Sequence, residues 1–417
     1  MNDICNKELN PKVMKLAIVT AFPPSKVTLN EYGYHLVKQF RLKDRVDEII
    51  LITDKTVEDK HLDFEESGCK ITVKDCWEFN SYKNIMSIYK TISQSKPDAI
   101  LFNLQFLKFG DKKVPAALGL MLPKLFKMKG IPTIVLIHNI LEQVDLKNAG
   151  FTKNKILQKV YGFIGTTLTK FVLSADLVAV TIHKYVNTLE NKYKTGNVVL
   201  VPHGTFETPP QPDFNLPEGP KKIMAFGKFG TYKKVEVMIE AVEKIRKRTN
   251  EKLEIVIAGT DSPNTPGYLK SVEEKYAHVS GLTFTGYVEE KDVPIIFGES
   301  AVVVFPYTTT TGSSGVLHQA GSYGKAVAMP NLGDLTDLVR DEGYVGEFFE
   351  ANDADSLANA IQNIVTNDAF RLELAKMNYE AASSFPMEKI ADMYLDHFND
   401  IKNNKERENT KLLTGDI

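Results

Sequence analysis

The chain is punctuated by short runs of aliphatic and β-branched residues that are apolar on every face. They fall at residues 16–20, 48–53, 99–103, 133–137, 177–181 and 198–201, and again at 223–226, 253–258, 282–285, 301–305 and 326–329. Runs this short are strands rather than buried helices, and a strand apolar on both sides must be covered on both sides. Segments with helical spacing lie between them, among them residues 30–41, 153–174 and 235–244. Strands and helices in alternation build parallel sheets wrapped by helices, the doubly wound α/β class.

With 417 residues the chain exceeds what one hydrophobic core organises, so two domains are expected. The rhythm breaks at residues 206–221, where Pro209, Pro210, Pro212, Pro217 and Pro220 stand among polar residues. Proline removes backbone donors and stops helix propagation, so this stretch reads as a linker. The resulting division is an extension at 1–13, a domain at 14–205, the linker at 206–221, a second domain at 222–385, a last helix at 386–400 and a disordered charged tail at 401–417.

Charged residues make up 25% and hydrophobic ones 43%, ordinary values that exclude a fibre or a disordered chain. No apolar run approaches the roughly 18 residues of a spanning helix, and no charged-then-apolar leader opens the sequence, so a cytoplasmic protein is expected. Cys5, Cys69 and Cys76 are too few and too scattered for a disulfide framework or a zinc site. No protein-held metal or other cofactor is therefore expected, although magnesium riding on a substrate diphosphate would leave no trace in the sequence. Charge is unevenly spread. Residues 101–200 carry 14 Lys and Arg against 5 Asp and Glu, whereas residues 201–417 carry 22 against 33. A basic segment of this kind favours an anionic partner. It contains no nucleic-acid reading motif, so nucleic acid is not that partner.

Four motifs carry candidate chemistry. Gly227, Lys228, Gly230 and Lys233 follow the run at 223–226 and precede a helix. Loops at the carboxyl ends of parallel strands are where such sheets bind ligands, and here glycines admit a ligand to the backbone while lysines supply charged donors. The alternative is a plain strand–loop–helix with solvated lysines. Residues 308–319 follow the run at 301–305. Thr311, Gly312, Ser313, Ser314, Gly315 and Val316 there open a helix that carries Gln319. A helix start offers unpaired N–H groups and a positive dipole end, which suit a diphosphate; a simple N-cap needs fewer glycines and hydroxyls. The serine-hydrolase elbow G-x-S-x-G is absent. His138 ends the run at 133–137, where it is either a satisfied structural histidine or a crevice residue. Gly286, Tyr287 and Val288 follow the run at 282–285 and read as a turn or as a backbone clamp for a base.

In this order the pieces resemble the retaining GT-B glycosyltransferases of family 4, often called glycosyl transferases group 1, over roughly residues 14–400. The resemblance implies two Rossmann-like domains facing across a cleft, an acceptor-binding N-terminal one and a nucleotide-sugar-binding C-terminal one, with the last helix crossing back onto the first. It implies roles for Lys228 and Lys233 at the diphosphate, for His138 at the donor sugar and for Gly286–Val288 near the base. It also implies a UDP- or GDP-linked donor, a glycan or lipid-linked acceptor, and transfer with retention in cell-surface polysaccharide or glycolipid synthesis. Two departures stand out. Thr311 and Gln319 occupy the places of the family's paired glutamates, and Val27 and Thr28 replace a glycine pair after Phe22-Pro23-Pro24. A non-catalytic nucleotide-sugar-binding protein and a sugar-nucleotide epimerase are the competing readings, the latter lacking identifiable acid–base carboxylates. Apolar residues mixed with lysines over 112–170 suit either an anionic membrane surface or a helix with a solvated basic face.

Overall fold

The computed structural model describes residues 13–25, 27–60, 62, 64–106, 108–110, 112–141, 155–206, 210–262, 264–309 and 313–414. Its chain divides into two compact units. Unit 1 comprises residues up to Pro202 together with Met387 onward, and unit 2 comprises His203–Pro386.

Unit 1 begins with β1 (Met14–Val19), α1 (Asn30–Phe40), β2 (Val46–Asp54), β3 (Lys70–Trp77), α2 (Asn84–Ser95) and β4 (Ala99–Leu104). It continues with α3 (Lys113–Leu120), α4 (Leu122–Met128), β5 (Thr133–Ile137), α5 (Lys155–Leu173), β6 (Leu177–Val180), α6 (His183–Tyr193) and β7 (Val198–Leu200). The strands form one parallel sheet in the order β3-β2-β1-β4-β5-β6-β7. Its central strands β1, β4 and β5 are buried almost throughout, which is why they appear in the sequence as uninterrupted apolar runs. The edge strand β3 is half exposed and mixes Lys70, Lys74 and Asp75 with apolar residues, so no such run announces it.

Unit 2 holds β8 (Lys221–Phe229), α7 (Glu236–Arg248), β9 (Leu253–Asp261), α8 (Tyr268–Lys275), β10 (Leu282–Gly286) and α9 (Val293–Gly298). After these come β11 (Ser300–Val304), α10 (Gly315–Ser322), β12 (Ala326–Pro330), α11 (Gly333–Glu342), β13 (Glu347–Phe349), α12 (Ala354–Val365) and α13 (Asp368–Ser384). Its parallel sheet runs β10-β9-β8-β11-β12-β13. Ile223, Ala225, Ile255, Ile257, Val302 and Val304 pack with α7 residues Met238, Ile239 and Val242 in one core. In both units the strand order reverses beside the first strand, between β1 and β4 and between β8 and β11. Loops leaving the carboxyl ends of those strands diverge and leave a crevice.

Two expectations need correction. The proline-rich stretch is not a free linker: it travels with unit 2, where the Arg371 guanidinium donates to the Phe214 carbonyl at 3.0 Å. Nor are residues 401–414 disordered, because α14 (Met387–Thr414) runs through them as one helix; residues 415–417 lie outside the described residues. Ile390, Tyr394, Leu395 and Phe398, all at most 1% exposed, anchor α14 in unit 1, and Lys43 and Arg45 pair with Asp392 at 2.7 and 3.1 Å. Lys405 reaches Asp176 at 2.8 Å and ties down the charged portion. Tyr394→Ala is therefore expected to destabilise unit 1 by about 3–5 kcal/mol. Urea unfolding followed by the fluorescence of Trp77, the sole tryptophan and buried in the same unit, measures this. No helix among the described residues is long and apolar enough to cross a membrane.

Candidate functional site

The two glycine-containing loops of unit 2 flank its switch point, and main-chain bonds join them. Lys234 N–H donates to the Pro306 carbonyl at 2.8 Å, Thr308 N–H donates to the Tyr232 carbonyl at 2.8 Å, and Lys233 forms an antiparallel bridge with Tyr307. Strand β8 runs further than its apolar run, so Gly227, Lys228 and Phe229 are strand residues paired with Gly259, Thr260 and Asp261 rather than a loop. That pairing needs glycine on both sides. Gly227 and Gly259 have φ of +124° and +138°, and a Cβ on Gly259 would stand 1.9 Å from the Gly227 carbonyl oxygen.

Removing the side chain at 227 makes room for an ammonium. The point a Gly227 Cβ would occupy lies 2.7 Å from Lys233 Nζ and 3.9 Å from Val316 Cγ2. Lys233 and the first turn of α10 therefore share one spot above β8. Lys233 is 7% exposed and its Nζ lies 4.9 Å from the Tyr307 ring centroid. Burial pulls its pKa below that of an ordinary lysine, and no carboxylate among the described residues stands within ion-pair distance of it. The Tyr307 hydroxyl in turn meets Ser314 Oγ, at the N-cap of α10, at 3.4 Å. Helix geometry leaves the Gly315 and Val316 amides without intrahelical acceptors, at the end where the dipole is positive. The result is a buried cation beside the positive end of a helix.

The other sequence candidates are placed as follows. Lys228 is exposed on β8, next in the chain to Gly227. Ser313 is half-buried one residue before the N-cap, and Gln319 is half-buried one turn beyond Gly315 on the same face of α10. Gly286 ends the edge strand β10 with φ +68°, leaving Tyr287 72% exposed and Val288 half-buried. Thr311 and Gly312 lie outside the described residues. His138 belongs to unit 1, at the end of β5. Its Nε2 meets Asn103 Oδ1 at 2.8 Å, and Asn103 Nδ2 donates to Thr20 Oγ1 at 3.0 Å. With that amide donating to Thr20, its oxygen is the acceptor and His138 Nε2 carries the hydrogen. This chain ties together the ends of β1, β4 and β5.

Two polar clusters carry no local signal in the sequence. In unit 1, Lys108 is 3% exposed and donates to the Thr28 carbonyl at 2.7 Å; burial lowers its pKa to about 7, with Asp54 opposing. In unit 2, His318 of α10 meets Ser313 Oγ through Nε2 and the Tyr344 hydroxyl through Nδ1, both at 2.9 Å. Its ring stacks on His203 with centroids 4.8 Å apart. Glu342 lies 3.5 Å from His318 Nδ1. Burial raises the Glu342 pKa to about 8 and holds that of His318 well below the usual histidine range, so near neutral pH the two meet as uncharged groups rather than as an ion pair.

Two doubly wound parallel sheets of this kind are the GT-B class of architecture. Residues 220–367 match the family model of Glycosyl transferases group 1. The chain is similar to a D-inositol 3-phosphate glycosyltransferase of Nocardioides sp., 26% identical over 290 residues, or 64% of this chain. It is also similar to the O-antigen chain mannosyltransferase C of Escherichia coli, 24% identical over 233 residues, or 53% of this chain. The alignments span 62% and 58% of those relatives' own lengths. Among solved structures, sucrose-phosphate synthase from Thermosynechococcus elongatus superposes with a TM-score of 0.70 at 17% identity, over 93% of this chain and 98% of its own. Anabaena HepE in complex with UDP and glucose gives 0.60 at 15% identity, over 93% and 100%.

Proposed function

We propose that this chain is a retaining glycosyltransferase whose unit 2 holds a UDP- or GDP-linked sugar, and that it delivers the sugar to a glycan or lipid-linked acceptor in cell-surface polysaccharide or glycolipid synthesis. One observation carries the reading: the Lys233 ammonium, 7% exposed and facing no carboxylate among the described residues, sits against the position of the missing Gly227 side chain and the first turn of α10. A buried cation without a counter-charge is costly, and a bound diphosphate would remove that cost. Sugar transfer breaks the anomeric C–O bond and leaves negative charge on the departing diphosphate. Lys233 and the α10 amides would stabilise that charge as it develops. The relatives named for glycosyl transfer and the neighbour crystallised with UDP and glucose support the donor class.

Gln319, in the place of a family glutamate, favours one alternative, binding of a nucleotide sugar without turnover. Incubation with UDP- and GDP-linked hexoses, followed by measurement of released nucleotide and of sugar on added acceptors, separates the two. Release of UDP or GDP is expected. Binding with no release from any donor would favour the non-catalytic alternative.

A further inference from the structure

We propose that His318 is a positioning residue: through Nε2 it holds the Ser313 hydroxyl as an outward hydrogen-bond donor to a donor phosphate, and Glu342 at its other nitrogen sets the tautomer that does so. This rests on the reading of unit 2 as the nucleotide-donor site.

The geometry is a chain of four groups. Ser313 Oγ, next to the N-cap residue of α10, lies 2.9 Å from His318 Nε2, and His318 Nδ1 lies 2.9 Å from the Tyr344 hydroxyl and 3.5 Å from Glu342 Oε2. His318 is 3% exposed, Tyr344 3% and Glu342 9%, so water does not compete for these bonds. A neutral imidazole has one N–H and one lone pair. If Nδ1 carries the hydrogen, Nε2 can only accept, and the Ser313 O–H points inward with its lone pairs toward the phosphate site. If Nε2 carries it, the ring donates to Ser313 Oγ and the serine hydrogen is free to point outward. Phosphate oxygens only accept, so only the second arrangement binds one.

The carboxyl behind the ring selects that arrangement. Burial keeps Glu342 protonated up to about pH 8, so its carboxyl offers a hydrogen toward Nδ1, while the Tyr344 hydroxyl takes either role: Thr205, whose own hydrogen goes to the Ala382 carbonyl at 2.8 Å, stands beside it as an acceptor. Glu342 Oε1 is buried without a hydrogen-bond partner, which a neutral carboxyl tolerates better than a charged one. The other groups around the pair are His203 stacked on His318, Asp341 beside Glu342, Thr205 at Tyr344, and the uncharged Asn378 and Ala382 of α13 near the Tyr344 ring and Gly321. Burial lowers the pKa of His203 to about 4, so it brings no charge above mild acid. Once Glu342 ionises it accepts instead of donating, Nδ1 takes the hydrogen, and the serine turns inward.

Calorimetric titration of UDP and GDP between pH 6.5 and 9.5 tests this on wild type, Ser313→Ala and Glu342→Gln. Ser313→Ala is expected to weaken binding about 10-fold at pH 7, the loss of one charge-assisted hydrogen bond. Glu342→Gln, whose amide donates at every pH, is expected to retain affinity where wild type loses it. The ratio of the two dissociation constants at each pH removes the nucleotide's own titration and that of Lys233. Equal binding by Ser313→Ala and wild type, or parallel decline of wild type and Glu342→Gln, overturns the positioning role and leaves the donor site standing. No binding of either nucleotide to wild type at any pH overturns the donor site and this role together. Should Glu342→Gln fail to fold, histidine ¹⁵N shifts of wild type, assigned with His318→Asn, answer instead. A protonated Nε2 at pH 7 that passes to Nδ1 above pH 8 is expected, and a protonated Nδ1 throughout overturns the role.

Discussion

Replacing Lys233 with methionine is expected to lower sugar release from the nucleotide about 100-fold and, at the same time, to make unit 2 more stable. The turnover loss follows from removing a fixed donor to the charge that develops on the leaving diphosphate. The gain in stability follows from the same burial. A lysine at 7% exposure with its pKa depressed is a charge the folded state holds at a cost. Linkage fixes the sign: the unfolded chain binds that proton more tightly, so the penalty is present at neutral pH and fades as pH rises into the lysine range. Methionine keeps most of the volume without the charge, so its thermal advantage should be clear at pH 7 and shrink toward pH 10. Turnover and melting temperature moving in opposite directions mark a residue kept for a ligand rather than for the fold. Loss of both together would make Lys233 a structural residue.

Gly259→Ala is expected to be the most disruptive small substitution in unit 2, costing about 3 kcal/mol or more. The new methyl would stand 1.9 Å from the Gly227 carbonyl oxygen, at a φ of +138° that side chains rarely adopt. Both obstacles are backbone, so rotamer changes relieve neither, and β8 must separate from β9 where they deliver Gly227 to the site. Circular dichroism should show an earlier thermal transition, while Trp77 in unit 1 reports a later one. Gly298→Ala is the matched control, since nothing stands within 4 Å of its added Cβ and it lies at the end of α9. Similar melting of Gly259→Ala and wild type would contradict the close β8–β9 approach.

What the sequence disclosed follows from what each element buries. The central strands are covered on both faces, so their composition alone marks them, and the reversal points follow from strand order once the fold class is known. Strands β3 and β13 are edges with exposed residues, and their patterns are not apolar runs. The charged end of α14 has no apolar stripe to advertise it; it is held by Lys405 and Asp176, residues far apart in sequence. The start of α10 was readable from the glycines and hydroxyls clustered just before it. The extension of β8 through Gly227 was not, because it depends on the facing Gly259. The ring of His318 gave little sign of its role because its partners come from elsewhere in the chain. Tyr344 stands 26 residues away, and His203 precedes the first strand of the unit. Lys108 is similarly silent, since what fixes it is the Thr28 carbonyl 80 residues earlier.

The most direct measurement is calorimetric titration of UDP, GDP and ADP into the full chain and into Lys233→Met, with inorganic pyrophosphate as competitor. The expected result is saturable binding of at least one nucleotide, displaced by pyrophosphate and weakened about 10-fold or more by the substitution. Binding of none of the three, or equal binding by wild type and Lys233→Met, would contradict a pyrophosphate seat formed by that ammonium and the start of α10.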